Sequence, residues 1–300
     1  MVAAANSPPP QLPQKANLLG IMCGAGAALC WALGFVAARH GIDVGLSPLV
    51  IALDRYIWPG LVLLPLSFAN GFRDLNSIGW GRGLALMLFG GLPQAAVSYM
   101  GYWYVPLGHG GIIQPACASV GGLLLARFVL KEPLPRRRIA GAGVIVLGLV
   151  VIGAEALRTI GVHGVGGDLM FVAAGISFAT FGMLVRKWRV AAMQATVATG
   201  ILSLAGLPIL FFTFGNMLAA GFLENLLQAV VQGALAGAGA IFLFTRAVVL
   251  LGVSRAAVFP SLVSPFVLLI GFLALGVVPS ISQLIGLAIV LIGFRLTQWR

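Results

Sequence analysis

The sequence predicts an all-α polytopic membrane protein: ten transmembrane helices forming two inverted five-helix repeats around a central cavity. Three observations lead there. Of the 300 residues, 60% are hydrophobic and 8% charged, whereas an ordinary soluble domain is about 45–50% apolar and about 25% charged. Apolar stretches of about 20 residues, enough for a helix to cross a hydrocarbon core about 30 Å thick, follow one another almost end to end. The two halves of the chain also match each other at a spacing near 145 residues.

Helices are the only spanning structure that fits. A membrane barrel needs segments of about ten residues that alternate apolar and polar, but residues 141–153 are apolar on every face. Cutting at charge clusters, Pro/Gly turns and polar gaps places spans near 18–38, 48–69, 83–105, 109–130, 138–157, 167–186, 193–214, 226–251, 253–276 and 281–298. Residues 1–17, with Pro8 to Pro10 in a row, are expected to be a disordered cytoplasmic tail. The first repeat is expected over 18–157, an inter-repeat loop over 158–166 and the second repeat over 167–300.

The formal charge of +11 would suggest nucleic-acid binding in a soluble chain, but here the basic residues sit in short loops beside apolar spans. Orientation explains them better, because cytoplasmic loops carry the excess of Lys and Arg. With ten alternating spans, fifteen of the 18 Lys and Arg residues fall on one side, Arg39 and Arg158 on the other, and Arg55 inside the second span. Both termini are therefore expected in the cytoplasm. Cys23 and Cys30 lie seven residues apart on one helix, too far to bridge, and Cys117 is in another apolar segment. Neither a disulfide, a metal site nor a cofactor is called for.

The repeat is carried by ordered matches. Gly20 meets Gly167 and Arg39 meets Arg186 at an offset of 147, Leu107-Gly108 meets Leu251-Gly252 at 144, and Pro115, Gly141 and Gly148 meet Pro260, Gly286 and Gly293 at 145. Five is odd, so the second copy enters the bilayer from the opposite side. Such inverted halves suit alternating access to a site near the midplane.

Matched prolines mark that site. Pro115 frees the carbonyl of Gly111 and Pro260 that of Ala256, and unpaired backbone at membrane depth is tolerated where protein or a cavity satisfies it. On the third helix Gln94, Ser98 and Tyr102 recur every four residues on one face, with Tyr99 and Trp103 as an adjacent stripe, and Gln114 precedes the first kink. In the second half Phe259, Ser261 and Ser264, with Phe178, Phe181 and Ser177, are candidates for the opposite wall. Mostly apolar walls with a few polar groups suit a small amphipathic solute such as a zwitterionic amino acid. Trp103 serves equally well as an interfacial belt anchor, and Trp31 as ordinary packing.

Several residues carry a family resemblance. Trp31 in a small-residue first span, Arg55 within the second, the proline of the fourth, and the Lys131-Glu132-Pro133-Leu134 turn followed by Ile139-Ala140-Gly141 and an apolar span resemble the drug/metabolite transporter superfamily, EamA type. Within it the chain is most similar to the bacterial YddG-like amino-acid exporters. It departs at one place, where Val277 occupies the position of Glu132. The resemblance implies a bacterial inner-membrane exporter of amino acids, aromatic or otherwise neutral, and of related metabolites. It also implies a pocket enclosed by the first, third, fourth, sixth, eighth and ninth helices, with the fifth and tenth peripheral. On that basis Trp31, Phe35, Tyr99, Trp103 and Gln114 lead the candidates.

Charges inside spans are few. Arg55 lies about two turns from the end of its helix, and a structural partner such as Asp54 or a helix-end carbonyl is favoured over a contact with substrate. Asp54 is the only acid well inside a span, so facilitated uniport is expected rather than proton coupling. The alternative is a proton-coupled exporter of hydrophobic cations or drugs, which would favour an acidic cavity. Scattered single acids argue against a membrane enzyme. The expected partners are a small-molecule substrate and the lipid bilayer, with no nucleic acid, in a monomer or weak homodimer. Gly20 and Gly24, and Gly233 and Gly237, are spaced as close-packing seams within the molecule.

Overall fold

The computed structural model describes residues 14–105, 107–152, 165–275 and 278–298. Among them no strand occurs, and ten helical stretches match the ten predicted spans. The first is Gln14–Asp43, the second Pro48–Ala69, the third Trp80–Trp103, the fourth Leu107–Phe128 and the fifth Arg136–Ile152. The sixth is Gly166–Lys187, the seventh Ala192–Ala220, the eighth Phe222–Leu251, the ninth runs from Val253 to Leu275, and the tenth is Ile281–Gln298. Eight are long and apolar enough to span a bilayer. The fourth has a shorter apolar core, Ile113–Phe128, and the fifth opens on three arginines. The first helix begins at Gln14, inside the expected tail; residues 1–13 and most of the expected 158–166 loop lie outside the described residues.

The chain is coated for lipid. Phe211, Phe212, Phe222 and Leu223 are among the most exposed side chains, an arrangement that water would penalise and hydrocarbon does not. Glycines, by contrast, face inward and set how closely helices approach. Gly20 packs against Leu251, Gly24 against Phe259, Gly233 against Trp58, and Gly237 against the backbone carbonyl of Arg55. Both predicted small-residue seams are thus internal contacts.

The fifth and tenth helices display the symmetry of the repeat. A methyl group added to Gly148 would lie 2.7 Å from the amide nitrogen of Val290 and 2.9 Å from the carbonyl oxygen of Gly286. One added to Gly293 would lie 2.7 Å from the nitrogen of Ile145 and 2.8 Å from the oxygen of Gly141. Adding 145 to the first-half residue and subtracting it from the second-half residues turns one set into the other. Since residue 141 meets 293 while 148 meets 286, the helices run antiparallel, and the self-complementary contact is that of a two-fold axis. The repeats are therefore inverted.

Several helices break where the site will form. The third is interrupted at Gly91, the seventh tightens into a 3-10 turn over Leu204–Gly206, the eighth is π-helical over Ala229–Gly239, and the ninth passes through a 3-10 segment at Phe259–Leu262. In lipid the freed backbone groups need partners, and side chains supply them. Tyr56 donates its hydroxyl to the carbonyl of Gly90 at 2.7 Å, Ser177 donates to that of Phe89 at 3.2 Å, and Leu92 N–H donates to Ser203 Oγ at 3.1 Å.

Candidate central cavity

Between the broken third and ninth helices lies a cavity of about 50 Å³. That exceeds the roughly 10–15 Å³ needed to hold a water, so the cavity has room for solvent. Trp31 and Phe35 reach it from the first helix, Gln94, Ser98 and Tyr99 from the third, and Gln114 and Pro115 from the fourth. Phe178 of the sixth and Pro260 of the ninth close the opposite wall. Nine of the sequence-derived candidates therefore meet in one place.

The remaining candidates lie elsewhere, for identifiable reasons. Trp103 is 53% exposed and outside the lining, because Gly101–Trp103 winds as a 3-10 turn, which advances each side chain about 120° instead of about 100°. Tyr102, one residue earlier, is packed against Tyr99 and Phe171 behind the wall. Phe181 fills the space above Gly90 and stacks on Phe178 at 5.6 Å. Phe259 packs between Gly24 and Phe294. Ser261 Oγ donates to the carbonyl of Val258, and Ser264 Oγ donates to that of Gly111. The latter is the carbonyl that Pro115 frees, so the serine satisfies the kink instead of lining the cavity.

The second helix, which neither the residue pattern nor the resemblance placed at the cavity, supplies its most polar wall. Arg55 and Tyr56 line it together with Ala95, Ala118 and Val263, and the eighth helix stands one layer back. Arg55 Nη1 donates to Tyr99 Oη at 2.9 Å, Tyr99 donates onward to Gln232 Oε1 at 3.0 Å, and Gln232 Nε2 donates to the carbonyl of Gly34 at 2.6 Å. This chain joins the second, third, eighth and first helices. Asp54 does not pair with its neighbour: its Oδ1 accepts from Trp58 Nε1 at 2.9 Å, while Oδ2 has no hydrogen bond. The signal for Arg55 was its position, a lone cation in an apolar span.

Below the cavity Trp31, Phe178 and Phe244 form an aromatic floor, with Trp31 edge-on to Phe178 at 5.0 Å and Phe178 to Phe244 at 4.8 Å. Beyond it a gap of about 10 Å³ continues past Gly122 and Gly182 to Val253. Next to Val253 stands Glu132, whose carboxylate accepts the N–H groups of Val253 and Ser254 at 3.2 and 3.1 Å and lies 3.7 Å from Arg186. Gly252, at φ 82°, turns the chain there, and a side chain on it would press on Glu132. One turn of the first half thus clasps the start of the ninth helix at the arginine-rich end.

Comparison with known proteins agrees with this architecture. The profile of the EamA-like transporter family matches the chain twice, over residues 18–154 and 165–298. One solved crystal structure, 20% identical in sequence, superposes with a TM-score of 0.68 and covers 94% of this chain and 96% of its own. At that identity the likeness concerns the fold. No curated protein matches the sequence.

Proposed function

This chain belongs to the EamA-like transporter family, and from that premise we propose that it exports amino acids, aromatic or otherwise neutral, with related small metabolites. It does so by alternating access as a facilitative uniporter of the YddG-like kind. The observation that carries the reading is the cavity wall: among the described residues it has aromatic and aliphatic faces, two side-chain amides, two phenols and one guanidinium, with no carboxylate. Such a wall buries an apolar side chain and orients a zwitterion. The arginine-rich end is the cytoplasmic one by the distribution of positive charge, which puts both termini in the cytoplasm of a bacterial inner membrane. The exposure of Arg246 on the eighth helix accords with headgroup contact near that end. The protein works as a monomer or weak homodimer, without nucleic acid, metal or cofactor.

Counterflow in proteoliposomes tests this. Preloaded L-phenylalanine should drive accumulation of labelled neutral amino acids at a rate independent of an imposed pH gradient. A second reading, proton-coupled export of hydrophobic cations, has the unpaired Oδ2 of buried Asp54 in its favour. It predicts uptake of a cationic dye driven by the gradient and no amino-acid counterflow. The guanidinium at the cavity opposes a cationic cargo.

A further inference from the structure

We propose that Arg55 binds the carboxylate of the transported solute, so that a carboxylate is the feature required for recognition. The inference deepens the amino-acid reading and rests on it for the identity of the solute. A cation inside a membrane span without a counter-charge is costly, and Arg55, half-buried at the cavity, is in that position. Among the described residues no carboxylate forms an ion pair with it. Its neighbouring acid, Asp54, is turned to Trp58. It donates to the phenol of Tyr99, whose ring centre lies 5.9 Å from the guanidinium carbon, and its Nε is buried with no partner. A guanidinium offers five N–H donors in a planar fork; Tyr99 occupies one, the phenol of Tyr56 also lies against the group, and the remaining donors have no anionic partner among the described residues.

The surroundings select the anion. The guanidinium sits at the cavity with Gln94 and Gln114 as further amides, and Gln114 Oε1 is already taken by Ser98 Oγ at 2.5 Å, leaving its NH₂ as a donor. One cation with neutral donors matches the single charge and two oxygens of a carboxylate, which arginine binds in a bidentate fork. A phosphate dianion would call for more positive charge than the lining holds. A carboxylate that takes Nη1 displaces Tyr99, and Tyr99 is the link to Gln232 and Gly34. Loading the site in that mode loosens the tie of the second helix to the third, and through it to the eighth and first.

Binding to the purified full-length protein, measured by calorimetry, separates the components. The probes are L-phenylalanine, its methyl ester and 3-phenylpropionate. We expect the amino acid and the phenylpropionate to bind, the ester at least tenfold more weakly than the acid, and Arg55→Gln to lower affinity for both carboxylates at least tenfold. Tyr99→Phe, which keeps the cation and removes its competitor, should bind them as tightly as the native protein or more tightly. An ester that binds native protein as well as the acid overturns the role of Arg55 while leaving the amino-acid reading intact, and needs no variant to fold. Binding of phenylpropionate but not of any amino acid sinks that reading and upholds Arg55. Undiminished affinity in Arg55→Gln, or silence of all three probes, overturns the proposal.

Discussion

The first repeat and the second share a scaffold and divide the labour unequally. At the seam of the fifth and tenth helices the glycines at 141 and 148 and those at 286 and 293 make interchangeable contacts, and the kink prolines 115 and 260 both reach the cavity. Yet every hydroxyl, amide and charge of the lining comes from the first half, while the second contributes Phe178, Pro260 and Val263. At the offset of 145, Gln94, Tyr99 and Gln114 correspond to Gly239, Phe244 and Phe259. Two-fold symmetry of the frame supplies two exchangeable conformations, whereas recognition of an asymmetric solute needs polar groups on one side only.

The sharpest way to break this comparison is to load the symmetric seam. Gly148→Ala and Gly293→Ala each drive a methyl group into backbone atoms under 3 Å away, which no rotamer change relieves. Each should cost about 3 kcal/mol, the upper end for overpacking, and thermal unfolding in detergent should find the two equal within about 0.5 kcal/mol. Costs that differ by more than about 1 kcal/mol would mean that the two-fold axis does not govern packing there.

The asymmetric device at the arginine-rich end should respond next. Glu132 caps two N–H groups at the start of the ninth helix, and the corresponding residue in the second half is Val277. Glu132→Ala leaves both donors unpaired at a cost of about 2 kcal/mol to the closed end. In a variant without native cysteines, a cysteine at Ala118, which lines both the cavity and the gap beneath it, should then label about tenfold faster from that face. An unchanged rate would show that the clasp does not hold the end closed.

What the sequence disclosed, and what it withheld, follows the same division. Spans and repeat were legible because hydrocarbon thickness and glycine contacts constrain residue type at fixed spacing. The kink at Pro115 was legible down to the carbonyl it frees. The facing of individual side chains was not, because the rule of every fourth residue assumes an unbroken α-helix. The third helix breaks at Gly91 and tightens at Gly101, so Gln94 and Ser98 reach the cavity while Tyr102 and Trp103 rotate away. Serines 261 and 264 looked available until backbone carbonyls, whose need depends on tertiary contact, claimed them. Arg55 was visible as the one cation well inside a span, and its angle of about 100° to Asp54 already argued against that pair, but its actual partner, Tyr99 of the third helix, depends on tertiary contact.

Within the cavity, equivalent positions should separate chemistry from packing. Gln114→Ala removes an amide from the wall and the acceptor of Ser98, a loss of about 1 kcal/mol that should raise the KM of transport about fivefold with Tm little changed. Its counterpart Phe259→Leu, behind the wall against Gly24 and Phe294, should lower Tm and leave KM alone. If Phe259→Leu raises KM as much as Gln114→Ala does, the second half takes part in recognition and the division fails.

The smallest effect is expected from the residue that sequence reasoning ranked among the first. Trp103 lies half exposed at the end of the third helix, one 3-10 turn past the last cavity-facing side chain. Its indole is placed for the interfacial belt, where an aromatic ring anchors a helix end without touching solute. Trp103→Ala should therefore keep KM within about twofold of the native value while Gln114→Ala does not. A larger change would mean that the third helix rewinds into a regular α-helix when the cavity opens, carrying Trp103 round to the solute, and that the 3-10 turn is itself part of the moving machinery.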